Sequence, residues 1–113
     1  DILTDEAAGL VGGMGMAPGL CIGRGNLAMA QATHGSAPDI ASTGLANPYA
    51  MIESTRMLIE WLGQRHSIPQ AQATAELMTK GIQSALEDPA TRTQDIRGRG
   101  KLNDMVKGIL TAF

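Results

Sequence analysis

Three apolar stripes of helical period follow one another between residues 47 and 110, and their punctuation constrains the fold more than any other feature. Asn47-Pro48 opens the first, with Asn as N-cap and Pro at the first helical position. Met51, Ile52, Thr55, Leu58, Ile59 and Leu62 form its expected buried stripe, and Gly63 is the expected residue just past its end. Ser67-Ile68-Pro69 starts a second helix with Ala71, Ala75, Met78, Ile82 and Leu86 on one face, stopping near Asp88-Pro89. After a loop over 89–100, Leu102, Met105, Val106, Ile109 and Leu110 predict a last amphipathic helix. Only Trp61, Tyr49 and Phe113 are aromatic, so Leu, Ile, Met and Ala must fill the interior. Seven Met suit helix-on-helix packing with adaptable side chains.

The first part of the chain reads differently. Residues 1–11 predict a helix, with Ile2, Leu3, Ala7, Leu10 and Val11 at helical intervals and Asp1, Asp5 and Glu6 in its first turns. Gly12 and Gly13 end it, and short strands are expected around Leu20 to Ile22 and Leu27 to Gln31. Two strands do not make a stable sheet alone. With Asp rather than Met as residue 1, the expectation is one segment, 1–113, of a larger protein.

Composition excludes some partners. A net charge of −2 gives no basic field for nucleic acid, and Arg97, Arg99 and Lys101 read as a short solvated loop. No apolar run approaches the ~20 residues of a membrane helix, so no membrane partner is expected. Cys21 is alone, which suits a reducing compartment, and a cytoplasmic location is the expectation.

Two groups of residues could carry chemistry. His34-Gly35-Ser36-Ala37-Pro38-Asp39-Ile40, followed by Asn47, has the equipment for an adenosine. The imidazole can lie against a flat base, Gly35, Ser36 and Ala37 let backbone come close, and Asp39 can accept from a ribose diol. Asp39 would also repel a 2′-phosphate, favouring NAD over NADP. The same residue types make an ordinary surface turn that caps the next helix. Asp1 and Asp5 are four apart, so on a helix both project from one face and could supply oxygen ligands to Mg²⁺ or Mn²⁺. Acidic residues also simply favour a helix N-terminus. His66 beside Arg65 reads as a solvated or capping residue, and Trp61 as core or interface packing.

The loop at His34–Ile40 resembles the adenosine-binding loop of the isocitrate/isopropylmalate dehydrogenase family, the metal-dependent β-decarboxylating dehydrogenases. Asp1-Ile2-Leu3-Thr4-Asp5-Glu6-Ala7-Ala8 is similar to the family's metal-binding helix, and Gly12 to Gly19 with Ile22-Gly23 to the segment after it. The resemblance implies an α/β fold: the C-terminal part of the family's fold, mostly helical with about two short strands. It implies a metal-binding helix, an adenosine-binding loop and three following helices. It further implies NAD bound by His34, Gly35, Ser36, Ala37, Pro38, Asp39, Ile40 and Asn47, and a divalent ion held by Asp1 and Asp5. NADP-dependent members carry Lys-Tyr or similar where Asp39-Ile40 stands here.

The activity implied is NAD-dependent oxidative decarboxylation of a 2-hydroxy acid by a homodimeric parent enzyme. The proton-transfer and substrate-gripping groups belong to the family's earlier sequence, so no catalytic acid or base is assigned, and the 113-residue chain alone is expected to be inactive. Gly12-Gly13, Ala17-Pro18-Gly19 and Ala32-Thr33-His34-Gly35 are more similar to isocitrate dehydrogenases; isopropylmalate or tartrate oxidation is the alternative. Three departures stand out: Gln31 for the family's Glu, Ser42-Thr43 for Gly-Lys, and Cys21 for Asn. A non-catalytic fragment or a helical interaction module is the reading from a different class.

Overall fold

The computed structural model describes residues 2–113. Helix α1 (Ile2–Val11) is followed by a 3₁₀ turn at Met14–Met16, strands β1 (Pro18–Ile22) and β2 (Ala28–Ala32), and a 3₁₀ turn at Pro38–Ile40. Helices α2 (Tyr49–Arg65) and α3 (Pro69–Glu87) come next, then a 3₁₀ turn at Gln94–Ile96 and helix α4 (Leu102–Leu110). The class is mixed α/β, as expected.

The two strands pair antiparallel with Pro18 opposite Ala32 and Ile22 opposite Ala28. One residue fastens α2 to both. The Ser54 hydroxyl is fully buried and accepts from the Gly19 N–H at 3.0 Å. Its own proton is shared between the Ala50 carbonyl at 2.6 Å and the Gln31 carbonyl at 3.0 Å. Ser54→Ala keeps the helix but leaves the half-buried Gly19 N–H without this partner, so it should cost about 1–3 kcal/mol in urea unfolding. An unchanged midpoint would mean the sheet is held some other way.

This contact also shows why the expected stripe on α2 differs from the observed one. The residues buried on that helix are Ala50, Ser54 and Gly63, while Met51, Thr55 and Leu62 are exposed. Small residues choose the buried face because they let backbone approach. Gly63 does not stop α2. A methyl there would lie 2.8 Å from Gln72 Cγ, so the glycine is where α2 and α3 pack most tightly. The helix stops two residues later, where Ser67 takes a left-handed φ of 53° and the Ile68 N–H reaches back to the Gly63 carbonyl at 2.9 Å. His66 occupies the C-cap, edge-on to Trp61 with ring centroids 6.2 Å apart.

The core sits between α3 and α4, where Ile82, Ala85, Met105 and Ile109 are buried, with Tyr49, Ile52, Leu86 and Ile96 packed around them. Burial, and then the Glu53 carboxylate, push the Tyr49 phenol above its ordinary pKa. On the same helix Arg56 donates to both oxygens of Glu53 at 2.9 Å and to Glu60 at 2.9 Å. The hydrogen bond to Glu53 raises its pKa against the opposing effect of burial. Leu110, expected in the α4 stripe, is exposed instead.

Helix α1 buries Ala8 alone, and Ile2, Leu3, Leu10 and Val11 are between 68% and 89% exposed. Its apolar pattern is real, yet the described residues provide nothing to cover it. No helix among them is long and apolar enough to cross a membrane.

Candidate nucleotide cleft

Strand β2 delivers the chain to the site. The Thr33 hydroxyl donates to the Ala17 carbonyl at 3.1 Å, which ties the strand end to the segment before β1. His34 follows, exposed, with Nδ1 2.9 Å from the Gly35 carbonyl. A carbonyl only accepts, so Nδ1 is the donor in this contact. Ala37 takes a left-handed φ of 42°, and Pro38 then starts the short turn, closed by Ile40 N–H to the Ala37 carbonyl at 3.1 Å.

Beyond the turn the Thr43 side chain donates to the Ile40 carbonyl at 2.7 Å and accepts from the Leu45 N–H at 3.3 Å. Ser42 has φ 62°, a conformation that favours glycine. It stands where the resemblance leads one to expect Gly, and its left-handed φ carries a local backbone cost. The Leu102 N–H donates to the Gly44 carbonyl at 2.9 Å, joining the loop to the start of α4.

These segments enclose a cleft of about 790 Å³. His34, Gly35, Ser36, Ala37, Ile40 and Asn47 line it, six of the eight residues expected to hold the nucleotide. Pro38 and Asp39 do not line it. They lie in the turn beside it, with the Asp39 carboxylate exposed and without a protein partner among the described residues.

The opposite wall was not foreseen. Gly15, Asp95 and Leu102 also line the cleft, brought from three separate segments. Asn47 joins the walls. Its Oδ1 accepts from the Tyr49 N–H at 2.9 Å, but Pro48 rather than Asn47 occupies the N-cap, because the first helical bond runs from the Ile52 N–H to the Pro48 carbonyl; the expected cap lies one residue early. The Asn47 Nδ2 donates to Asp95 Oδ2 at 2.9 Å and lies 3.5 Å from Met16 Sδ. A backbone N–H can only donate and a carboxylate only accepts, so a single amide orientation satisfies both partners. No local pattern marks Asp95, because its contact with Asn47 spans 48 residues.

The metal expectation fares differently. Asp5 is exposed on α1, and Asp1 lies outside the described residues. Among those described, no three His, Cys, Asp or Glu side chains gather into a metal-binding group. Asp5 alone offers one oxygen ligand, which fits a Mg²⁺ site only if substrate, water or other carboxylates supply the rest.

The chain belongs to the isocitrate/isopropylmalate dehydrogenase family, whose model matches residues 1–109. It is 38% identical over 109 residues to the mitochondrial isocitrate dehydrogenase [NAD] catalytic subunit 6 of Arabidopsis thaliana, covering 96% of this chain and 27% of that one. It is 40% identical to the 3-isopropylmalate dehydrogenase of Caulobacter vibrioides, covering 100% of this chain and 31% of the relative. Among solved structures, isocitrate dehydrogenase from Methylococcus capsulatus superposes with a TM-score of 0.80 at 38% identity, covering 98% of this chain and 31% of that one. The chain thus spans under a third of the length of these relatives.

Proposed function

We propose that this chain forms one side of the dinucleotide site of an NAD-dependent β-decarboxylating dehydrogenase acting on a 2-hydroxy acid. The reading rests on one observation above all: residues 34–37, Ile40 and Asn47, whose types suit an adenosine, line a single cleft. The His34 ring stacks on the base, and the Gly35–Ala37 backbone lies along the nucleotide. Asp39, in the adjoining turn, takes the ribose hydroxyls that reach past the rim, and Pro38 sets that turn.

Asp39→Ala should therefore weaken NAD binding by about 1–3 kcal/mol in calorimetry on the complete enzyme, through loss of a charge-assisted hydrogen bond. Equal affinities would refute the ribose role.

Asp5, with Asp1, is proposed as a Mg²⁺ or Mn²⁺ ligand. The ion, when bound, polarises the substrate hydroxyl and the carbonyl formed from it. Isocitrate is the proposed substrate, from the residues at 12–13, 17–19 and 32–35. The relatives named above include both isocitrate and isopropylmalate enzymes. Assaying NAD reduction with isocitrate, 3-isopropylmalate and tartrate in turn decides among them, and no turnover with isocitrate would overturn that choice. A homodimer is proposed as well, since α1 exposes Ile2, Leu3, Leu10 and Val11.

A further inference from the structure

One residue of the cleft lining is held in a backbone conformation that its side chain disfavours. Ala41 (φ −57°, ψ 136°) and Ser42 (φ 62°) are the central pair of a turn closed by the Thr43 N–H on the Ile40 carbonyl at 3.2 Å. This is type II geometry, whose second central position takes a positive φ and therefore favours glycine. Ser42 adopts it at a steric cost that a glycine avoids.

No contact within the loop offsets that cost. Thr43 makes the local side-chain bonds, donating to the Ile40 carbonyl at 2.7 Å and accepting from the Leu45 N–H at 3.3 Å. The Ser42 hydroxyl is exposed and has no partner among the described residues. Yet Ser42 lines the same cleft as His34, Gly35, Ser36 and Ala37. Ser67 and Arg97 are also left-handed, but they sit where helical turns end, a usual place for that conformation. Ser42 has no such reason. Backbone strain that a fold does not need collects where a side chain meets a ligand.

We propose that the Ser42 hydroxyl is a ligand contact of this cleft, hydrogen-bonded to the adenosine half of the bound dinucleotide. This deepens the nucleotide reading above and rests on it. The contact complements Asp39 on the other side of the same turn. A carboxylate only accepts, whereas a hydroxyl also donates, so Ser42 adds the donor that the Asp39 side chain lacks.

The test compares Ser42→Ala and Ser42→Gly in the complete enzyme, with affinity read by calorimetry and stability by urea unfolding. Both substitutions should weaken NAD binding by roughly fivefold, the loss of one neutral hydrogen bond. ADP-ribose, which lacks the nicotinamide, should lose the same factor. The midpoints should separate the two variants. Ser42→Gly holds or raises stability by releasing the left-handed strain, and Ser42→Ala keeps both the strain and the midpoint. Unchanged affinity in Ser42→Ala would overturn the contact, and a loss in Ser42→Gly alone would then be an effect of loop flexibility. A loss seen with NAD but not with ADP-ribose would overturn the assignment to the adenosine half. A lower midpoint in Ser42→Gly would mean that the serine serves the loop rather than a ligand. Each of these results leaves NAD binding by the unmutated enzyme intact. Failure of the unmutated enzyme to bind NAD at all would overturn the nucleotide reading itself, and this inference with it.

Discussion

Met105→Ala is expected to lower the unfolding free energy by about 2–5 kcal/mol, the usual range for emptying a large buried side chain. Met105 is 1% exposed and packs in the cluster with Ile82, Ala85 and Ile109. Its helix, α4, has only nine residues. Isolated helices of that length are marginal in water, so α4 holds its shape through this packing. The neighbours have little freedom to close the cavity. A methyl on Gly81 would already stand 2.5 Å from the Ile109 carbonyl, so α3 and α4 touch backbone to backbone there. The loss should also reach the site, because the Leu102 N–H at the head of α4 ties the loop through Gly44. Urea unfolding of Met105→Ala should show a lower midpoint, and NAD binding should weaken in parallel. A midpoint within error of the unmutated protein would mean that α4 is not docked as described.

What could be read from the sequence depended on whether a signal was local. Asn47-Pro48 marks the start of α2 because a cap works within a few residues, and Asn47 does accept from Tyr49. The apolar spacing of 102–110 finds α4, and residues 34–40 are contiguous, so most of one cleft wall was legible. Gly63 misled because a glycine that ends a helix and one that admits a neighbouring helix look alike until Gln72 is placed against it. The α2 stripe misled for a related reason. Ser54 is polar, yet it is the residue buried beneath the sheet, and only the position of Gly19 and Gln31 explains why. Asp95 was missed because the residue types around it read as an exposed turn, and its meaning lies in a partner far along the chain.

Gly98→Ala should disrupt the loop that carries Asp95, with an overpacking cost of about 1–3 kcal/mol or more. A methyl on Gly98 would overlap the Arg92 carbonyl, which is backbone and has no rotamer to give. The loop around it has little slack. The Gly98 N–H donates to the Thr93 carbonyl at 2.9 Å, the Gly100 N–H to Arg92 at 2.9 Å, and the Arg99 N–H to Pro89 at 2.8 Å. Thr93 is fully buried inside this ring of bonds, two residues before Asp95. Relieving the overlap means moving one strand of the loop away from the other, and Asp95 moves with it. Two effects should therefore appear together: a lower urea midpoint and weaker NAD binding. Gly9→Ala provides the control. It lies in α1 with nothing within 4 Å of the added methyl, and alanine is the better helix former by roughly 0.5–1 kcal/mol. That substitution should hold or raise stability and leave NAD binding unchanged. If Gly98→Ala matches Gly9→Ala in both measurements, the 88–101 loop does not hold the shape that sets Asp95 in the cleft wall.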